Sequence, residues 1–152
     1  MIRRRASFAF SLVGLLIATS IAMAQSVQPT SLRLVLKGYD PVAYFMDGKP
    51  TPGKPEYEAV YDEARYRFAS AQHLELFKAD PDRYAPQYAG SCAAAVAAGV
   101  KIEADPEHWL IVDGQLFVFA GAAGVGKMRA DPAAMIAKGR ENWRALADAP
   151  YR

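Results

Sequence analysis

The chain has 152 residues, 52% of them hydrophobic and 22% charged, with a formal net charge of +2; that length fits one compact domain and excludes two ordinary ones. Arg3-Arg4-Arg5 precedes an apolar run from Ala6 to about Met23 that ends in Ala22-Met23-Ala24, the pattern of a secretory signal over residues 1–24 with a small-residue cleavage site. Cleavage there removes the three arginines and leaves 15 basic against 16 acidic groups, so the electrostatic case for a nucleic-acid partner disappears.

Export, into a periplasm or as a secreted protein, is therefore the expected fate. The arginines near Ser7-Phe8 loosely fit the twin-arginine route as well as the general one. No second apolar run is long enough to span a membrane after signal removal. Cys92 is the only cysteine, so no intramolecular disulfide can form and stability must come from packing.

Residues 25–35 read as a lead-in. Leu32–Leu36 and Val42–Phe45 are two short apolar stretches, the second expected as a strand that buries Ala43, separated by the turn Lys37-Gly38-Tyr39-Asp40-Pro41. Residues 47–55, dense in Pro and Gly, predict a surface loop. Tyr57, Ala59 and Tyr61 alternate with other residues, as do Tyr66 and Phe68, across a tight Asp62-Glu63 connection: a hairpin with one aromatic face. Ser70 caps a predicted helix carrying Leu74 and Phe77, and Asp80-Pro81 ends it while starting a short one through Tyr84.

Ala-Asp-Pro recurs at 79–81, 104–106 and 130–132. The residues after each copy differ, and Asp as N-cap with Pro at the first helical position accounts for all three without an internal repeat. On this reading His108 lies in a helix begun by Asp105-Pro106. Ser91–Gly99 predicts a small-residue helix with Ser91 as N-cap, Cys92 at its first position and Gly99 at its end.

Trp109–Val112 and Gln115–Phe119 flank Asp113-Gly114, the strongest hairpin signal in the chain. Gly121–Lys127 has the spacing of a phosphate-binding loop, but Met128 stands where a Mg²⁺-binding hydroxyl is needed, so a flexible connection is expected instead. A terminal helix is predicted from Pro132 to about Ala147, with Ile136 and Trp143 on one stripe and residues 148–152 as a tail. The order strands, hairpin, helices, hairpin, helix gives an α+β class: a small single domain of short antiparallel hairpins packed against short helices.

Few residues carry chemistry. Gly-x-Ser-x-Gly is absent and the histidines are His73 and His108 alone, which leaves no serine triad in view. Cys92 at a helix start would be favoured as thiolate, able to ligate a soft metal or to react, and it also reads as a small buried hydrophobe among alanines. Met46, Met128 and Met135 are possible thioether donors whose ordinary role is gap filling.

Gly38-Tyr39-Asp40-Pro41-Val42-Ala43-Tyr44-Phe45, Phe68-Ala69-Ser70-Ala71, Leu76–Pro81, Tyr84–Tyr88 and Gly90-Ser91-Cys92-Ala93 together resemble the short exported branch of the YHS-domain proteins. The resemblance implies a treble-clef-like α+β fold over residues 36–147 and carries no assigned reaction. Related YHS domains bind transition metals, often copper, through cysteines that align here with Ala43, Ala69 and His73. This chain therefore lacks the soft-ligand set of those relatives.

The expected function is a non-enzymatic module that binds a small ligand or an exported protein partner in a pocket near Tyr39, Tyr44 and Cys92. The alternatives are a copper or other transition-metal protein using Cys92 with His73 or a methionine, and a thiol-dependent enzyme.

Overall fold

Two tight turns organise the molecule. The computed structural model describes residues 32–152; residues 1–24, expected as a signal, and most of the lead-in lie outside the described residues. At Asp62-Glu63 and at Asp113-Gly114 both residues take positive φ (47° and 56°, 51° and 74°), the geometry whose twist matches a two-residue hairpin. The first turn joins β2 (Lys54–Tyr61) to β3 (Ala64–Phe68), and the second joins β4 (Asp105–Val112) to β5 (Gln115–Phe119). β1 (Arg33–Leu34) adds to β3 in parallel, giving a sheet of order β1-β3-β2, while β4 and β5 form a sheet of two strands. The lead-in thus contributes a strand, and β2 starts inside the segment expected as a loop.

Helices cover the hairpins: α1 (Ala43–Met46), α2 (Ala71–Ala79), α3 (Pro81–Tyr84), α4 (Ala93–Ala97), α5 (Ala122–Ala130) and α6 (Pro132–Leu146). Three caps appear where the sequence places them. Ser70 accepts from the His73 N–H, Asp80 from Arg83 and Asp131 from Ala134, the two aspartates each followed by Pro at the helix start. The fold is α+β, and none of its described helices is long and apolar enough to cross a membrane.

Four local expectations are corrected. Val42–Phe45 is the start of helix α1, not a strand, because the Asp40 carboxylate accepts the N–H groups of Val42 and Ala43 and turns the chain into a helix; Ala43 is buried there as expected. Asp105-Pro106 begins strand β4, not a helix, since Asp105 pairs with Phe119 across the sheet. Its carboxylate accepts the Glu107 N–H in a local turn ahead of a bulge.

Ala122–Lys127 belongs to helix α5, with Gly121 as its N-cap residue, rather than to a flexible connection, and Gly124 lets that helix lie close to Phe119 and Ala94. Cys92, not Ser91, is the N-cap residue of α4; the Ser91 hydroxyl meets the Tyr151 hydroxyl at 3.0 Å instead. Ser91 thereby ties down the C-terminal tail, helped by Lys101, whose ammonium donates to the carbonyls of Ala147 and Ala149.

One continuous core runs beneath both hairpins. Tyr66, Phe68, Phe77, Leu116 and Val118 are buried as the alternation predicts, while Tyr57, Tyr61, Trp109, Ile111 and Trp143 are half-buried at its edge. Phe117 and Phe119 are buried as well. β5 is covered on both faces, which a period-two pattern cannot reveal.

Candidate functional site

Backbone geometry places Asp40. Leu36, Lys37 and Gly38 all have positive φ, and the chain leaves this 3-10 turn extended at Tyr39, which bridges to Pro52. The Asp40 N–H then donates to the Thr51 carbonyl (2.9 Å), which fixes the residue while its side chain enters the interior at 0% exposure.

A carboxylate so deep must have its lone pairs occupied. Oδ1 accepts from Val42 N (2.8 Å) and Ala43 N (3.3 Å), and Oδ2 accepts from Ala69 N (2.7 Å) and faces His73 Nδ1 at 2.6 Å. The Asp40 side chain therefore clamps the start of α1, the end of β3 and the first turn of α2 to one point. His73 must carry its proton on Nδ1 to donate to Oδ2, and its side chain is 12% exposed.

Tyr44, also buried, reaches across to the second hairpin. Its hydroxyl donates to the Pro106 carbonyl (3.0 Å), and its ring meets Trp109 edge-on at 5.2 Å. Burial foremost, with the nearby Glu107 charge, pushes the Tyr44 hydroxyl well above the ordinary tyrosine range.

Beyond Trp109 a cleft of about 450 Å³ opens between β4 and α5. Trp109, Leu110, Ala122 and Val125 supply apolar lining, Glu107, His108 and Arg129 supply charge and hydrogen-bonding capacity, and Gly126 leaves space. His108 Nδ1 lies 3.4 Å from Asp105 Oδ2. The Asp105 carboxyl is held below the usual carboxylate range, mainly by the Glu107 N–H and then by His108. Arg129 makes no ion pair among the described residues. A second cavity of about 460 Å³ lies near the turn of the same hairpin, bordered by Asp113, Gln115, Ile136 and Arg140.

The residues singled out from the sequence are spread over these features. Tyr39 is half-buried beside Asp40, Tyr44 backs the cleft through Trp109, and His73 is engaged by Asp40. Cys92 is buried at 4% exposure, its N–H donating to the Ile102 carbonyl and its backbone bridging to Val118. No hydrogen bond joins Cys92 to His73, and neither cavity is lined by Tyr39, Tyr44, Cys92 or His73. Sequence reading passed over Asp40, whose place in a Gly-Tyr-Asp-Pro turn suggested only turn chemistry, and Arg129, which stood in a stretch expected to be a connection.

A transition metal, which the sequence resemblance raises as an expectation, does not fit this donor set. The aligned ligand positions Ala43 and Ala69 offer only methyl groups, Asp40 has both oxygens occupied, and no three His, Cys, Asp or Glu side chains converge among the described residues.

Fold and site together define a small α+β module built on two hairpins, with a buried Asp–His pair under one and an open cleft beside the other. Residues 42–88 match the family model of the YHS domain, so the chain carries a YHS domain that comprises α1, the first hairpin, α2 and α3. No curated protein and no solved structure gives a significant match to the chain.

Proposed function

We propose that this protein is an exported, non-enzymatic binding module that takes a small carboxylate with an apolar or aromatic body in the cleft between β4 and α5. The cleft itself carries the reading. Its volume suits a small molecule. The Trp109 indole and the side chains of Leu110 and Val125 suit a flat or branched apolar group, and the unpaired Arg129 guanidinium suits a carboxylate. No Ser, Thr or Cys lines the cleft, so it offers no hydroxyl or thiol nucleophile, which favours binding over covalent catalysis. The leader-like residues 1–24 support export.

Titration of the mature protein with a panel of aromatic and branched-chain carboxylates, phenylacetate among them, tests this through the indole N–H signal of Trp109. The expected result is a saturable shift whose midpoint rises about tenfold in Arg129→Ala, the loss of one charge-assisted contact. Absence of a saturable shift across the panel, or equal midpoints in the two proteins, overturns the proposal. Stoichiometric uptake of Cu(I) in a parallel titration would instead favour the alternative copper reading.

A further inference from the structure

We infer that the chain contains the same structural unit twice, Val35–Tyr84 and Gln87–Leu146, and that the second copy, which lies almost wholly beyond the YHS match, lacks the buried Asp–His pair of the first and carries an open cleft over its hairpin. This goes beyond the proposed ligand site and does not depend on it. It adds to capping a second reason for the recurrence of Ala-Asp-Pro at 79–81 and 130–132.

The elements recur in order and in register. A 3-10 turn, a short helix, a hairpin, a nine-residue helix and an Asp-Pro-capped helix appear in each half. β2 and β4, β3 and β5, α2 and α5, and Pro81 and Pro132 are all separated by 51 residues, the interval from Lys54 to Asp105. α6 runs longer than its counterpart α3.

Regular elements could recur by chance, but the irregular ones carry more weight. Each hairpin pairs its first residue with its last, Lys54 with Phe68 and Asp105 with Phe119, and each then breaks register at the same place, before Glu58 and before Trp109. The 3-10 turns each hold three consecutive residues at positive φ, Leu36-Lys37-Gly38 and Tyr88-Ala89-Gly90. For non-glycine residues that conformation is unfavourable and needs support from its surroundings. Each turn leads into the same pair of links: a bridge, Tyr39 to Pro52 and Ser91 to Glu103, and a hydrogen bond, Asp40 N to Thr51 O and Cys92 N to Ile102 O.

Side chains agree where the core demands it. Phe68 and Phe119, Phe77 and Met128, and Tyr66 and Phe117 are all buried at equivalent positions. Between Lys54–Tyr84 and Asp105–Met135, nine of 31 positions are identical, the Phe68/Phe119 pair and both Ala-Asp-Pro segments that cap helices among them.

The equivalence assigns roles. Cys92 occupies the place of Asp40, and Gly124 the place of His73, so the second copy has no ionic clamp. Over its hairpin, His108 stands for Tyr57, Val125 for Leu74 and Gly126 for Glu75. Each is smaller than its counterpart, and His108, Val125 and Gly126 all line the cleft.

Rebuilding the missing pair is the test. Cys92→Asp and Gly124→His, singly and together, enter a double-mutant cycle read by denaturant unfolding of the mature protein. Each single change should weaken folding, one by burying a lone carboxylate and the other because a Cβ at Gly124 comes within 2.9 Å of Phe119. If the halves are copies, the double variant folds at least tenfold better than the singles predict, and the introduced imidazole shows a slowly exchanging ring N–H. Additive effects overturn the inference. Should Cys92→Asp not fold alone, the sequence of Gln72–Lys78 is placed over Ala123–Arg129 between unchanged flanks. A single cooperative unfolding transition supports equivalence, and a chain without one rejects it.

Discussion

The first hairpin unit and the second have the same turns and the same bulge yet are secured differently. Beneath the first, Asp40 gathers three backbone N–H groups and an imidazole at one buried point. At the corresponding place in the second, Cys92 forms no side-chain hydrogen bond and α4 packs instead through Ala93 and Val96, both buried. A polar clamp and a small apolar contact therefore stabilise one backbone path. The clamp gives directionality at the cost of leaving four groups dependent on a single residue, whereas the apolar version tolerates change and leaves room nearby for a cleft.

The largest expected effects test whether the two halves share their core equally. Phe68 and Phe119 are both 0% exposed, and truncating either to Ala should cost about 3–5 kcal/mol in denaturant melts. A loss below about 1 kcal/mol at either position would show that half to be weakly coupled to the core. Asp40→Ala should cost about 3 kcal/mol, because it strands buried donors, while the equivalent change Cys92→Ala should cost about 1 kcal/mol or less. Equal losses from the two changes would remove the contrast between clamp and contact.

An intermediate effect concerns the seam between α6 and the second 3-10 turn. A methyl group at Gly139 would collide with the Tyr88 hydroxyl, so Gly139→Ala should lower stability by about 1–3 kcal/mol. Recovered stability in Gly139→Ala combined with Tyr88→Leu, relative to Tyr88→Leu alone, would locate the strain at the tyrosine ring and hydroxyl.

A smaller effect separates the halves by pH. Burial pushes the Tyr66 hydroxyl up to about 12, whereas its counterpart Phe117 cannot ionise. The unfolded chain gives up that proton near pH 10 and the folded chain keeps it until about 12. The stabilisation is thus complete below pH 10 and is lost as pH rises through that window. Tyr44 is shifted in the same direction. Tyr66→Phe should flatten the alkaline fall in stability, and an unchanged profile would mean that the hydroxyl is already hydrated in the folded state. Smallest of all, Cys92 at 4% exposure should resist a small thiol reagent until the protein is denatured; rapid labelling of the native chain would reopen the reactive-thiol reading.

The sequence by itself determined what depends on neighbours a few residues apart. Asp62-Glu63 and Asp113-Gly114 specify tight hairpins, Ser70, Asp80 and Asp131 specify helix starts, and the alternation around Tyr66 and Phe68 marks a buried face. The blocks from Gly38 to Ala93 were enough to signal a YHS domain. Tertiary structure decided wherever a polar group had more than one possible partner. Asp40 and Asp105 look alike as Asp-Pro segments, yet the buried Asp40 clamps a histidine 33 residues away, while Asp105 starts a strand because Phe119 pairs with it. Ala122–Lys127, rich in glycine, is helical because Phe119 and Ala94 support it. The repeat lay hidden for the same reason: what the two halves share is largely backbone geometry, held by long-range hydrogen bonds and bulges that different side chains satisfy equally well.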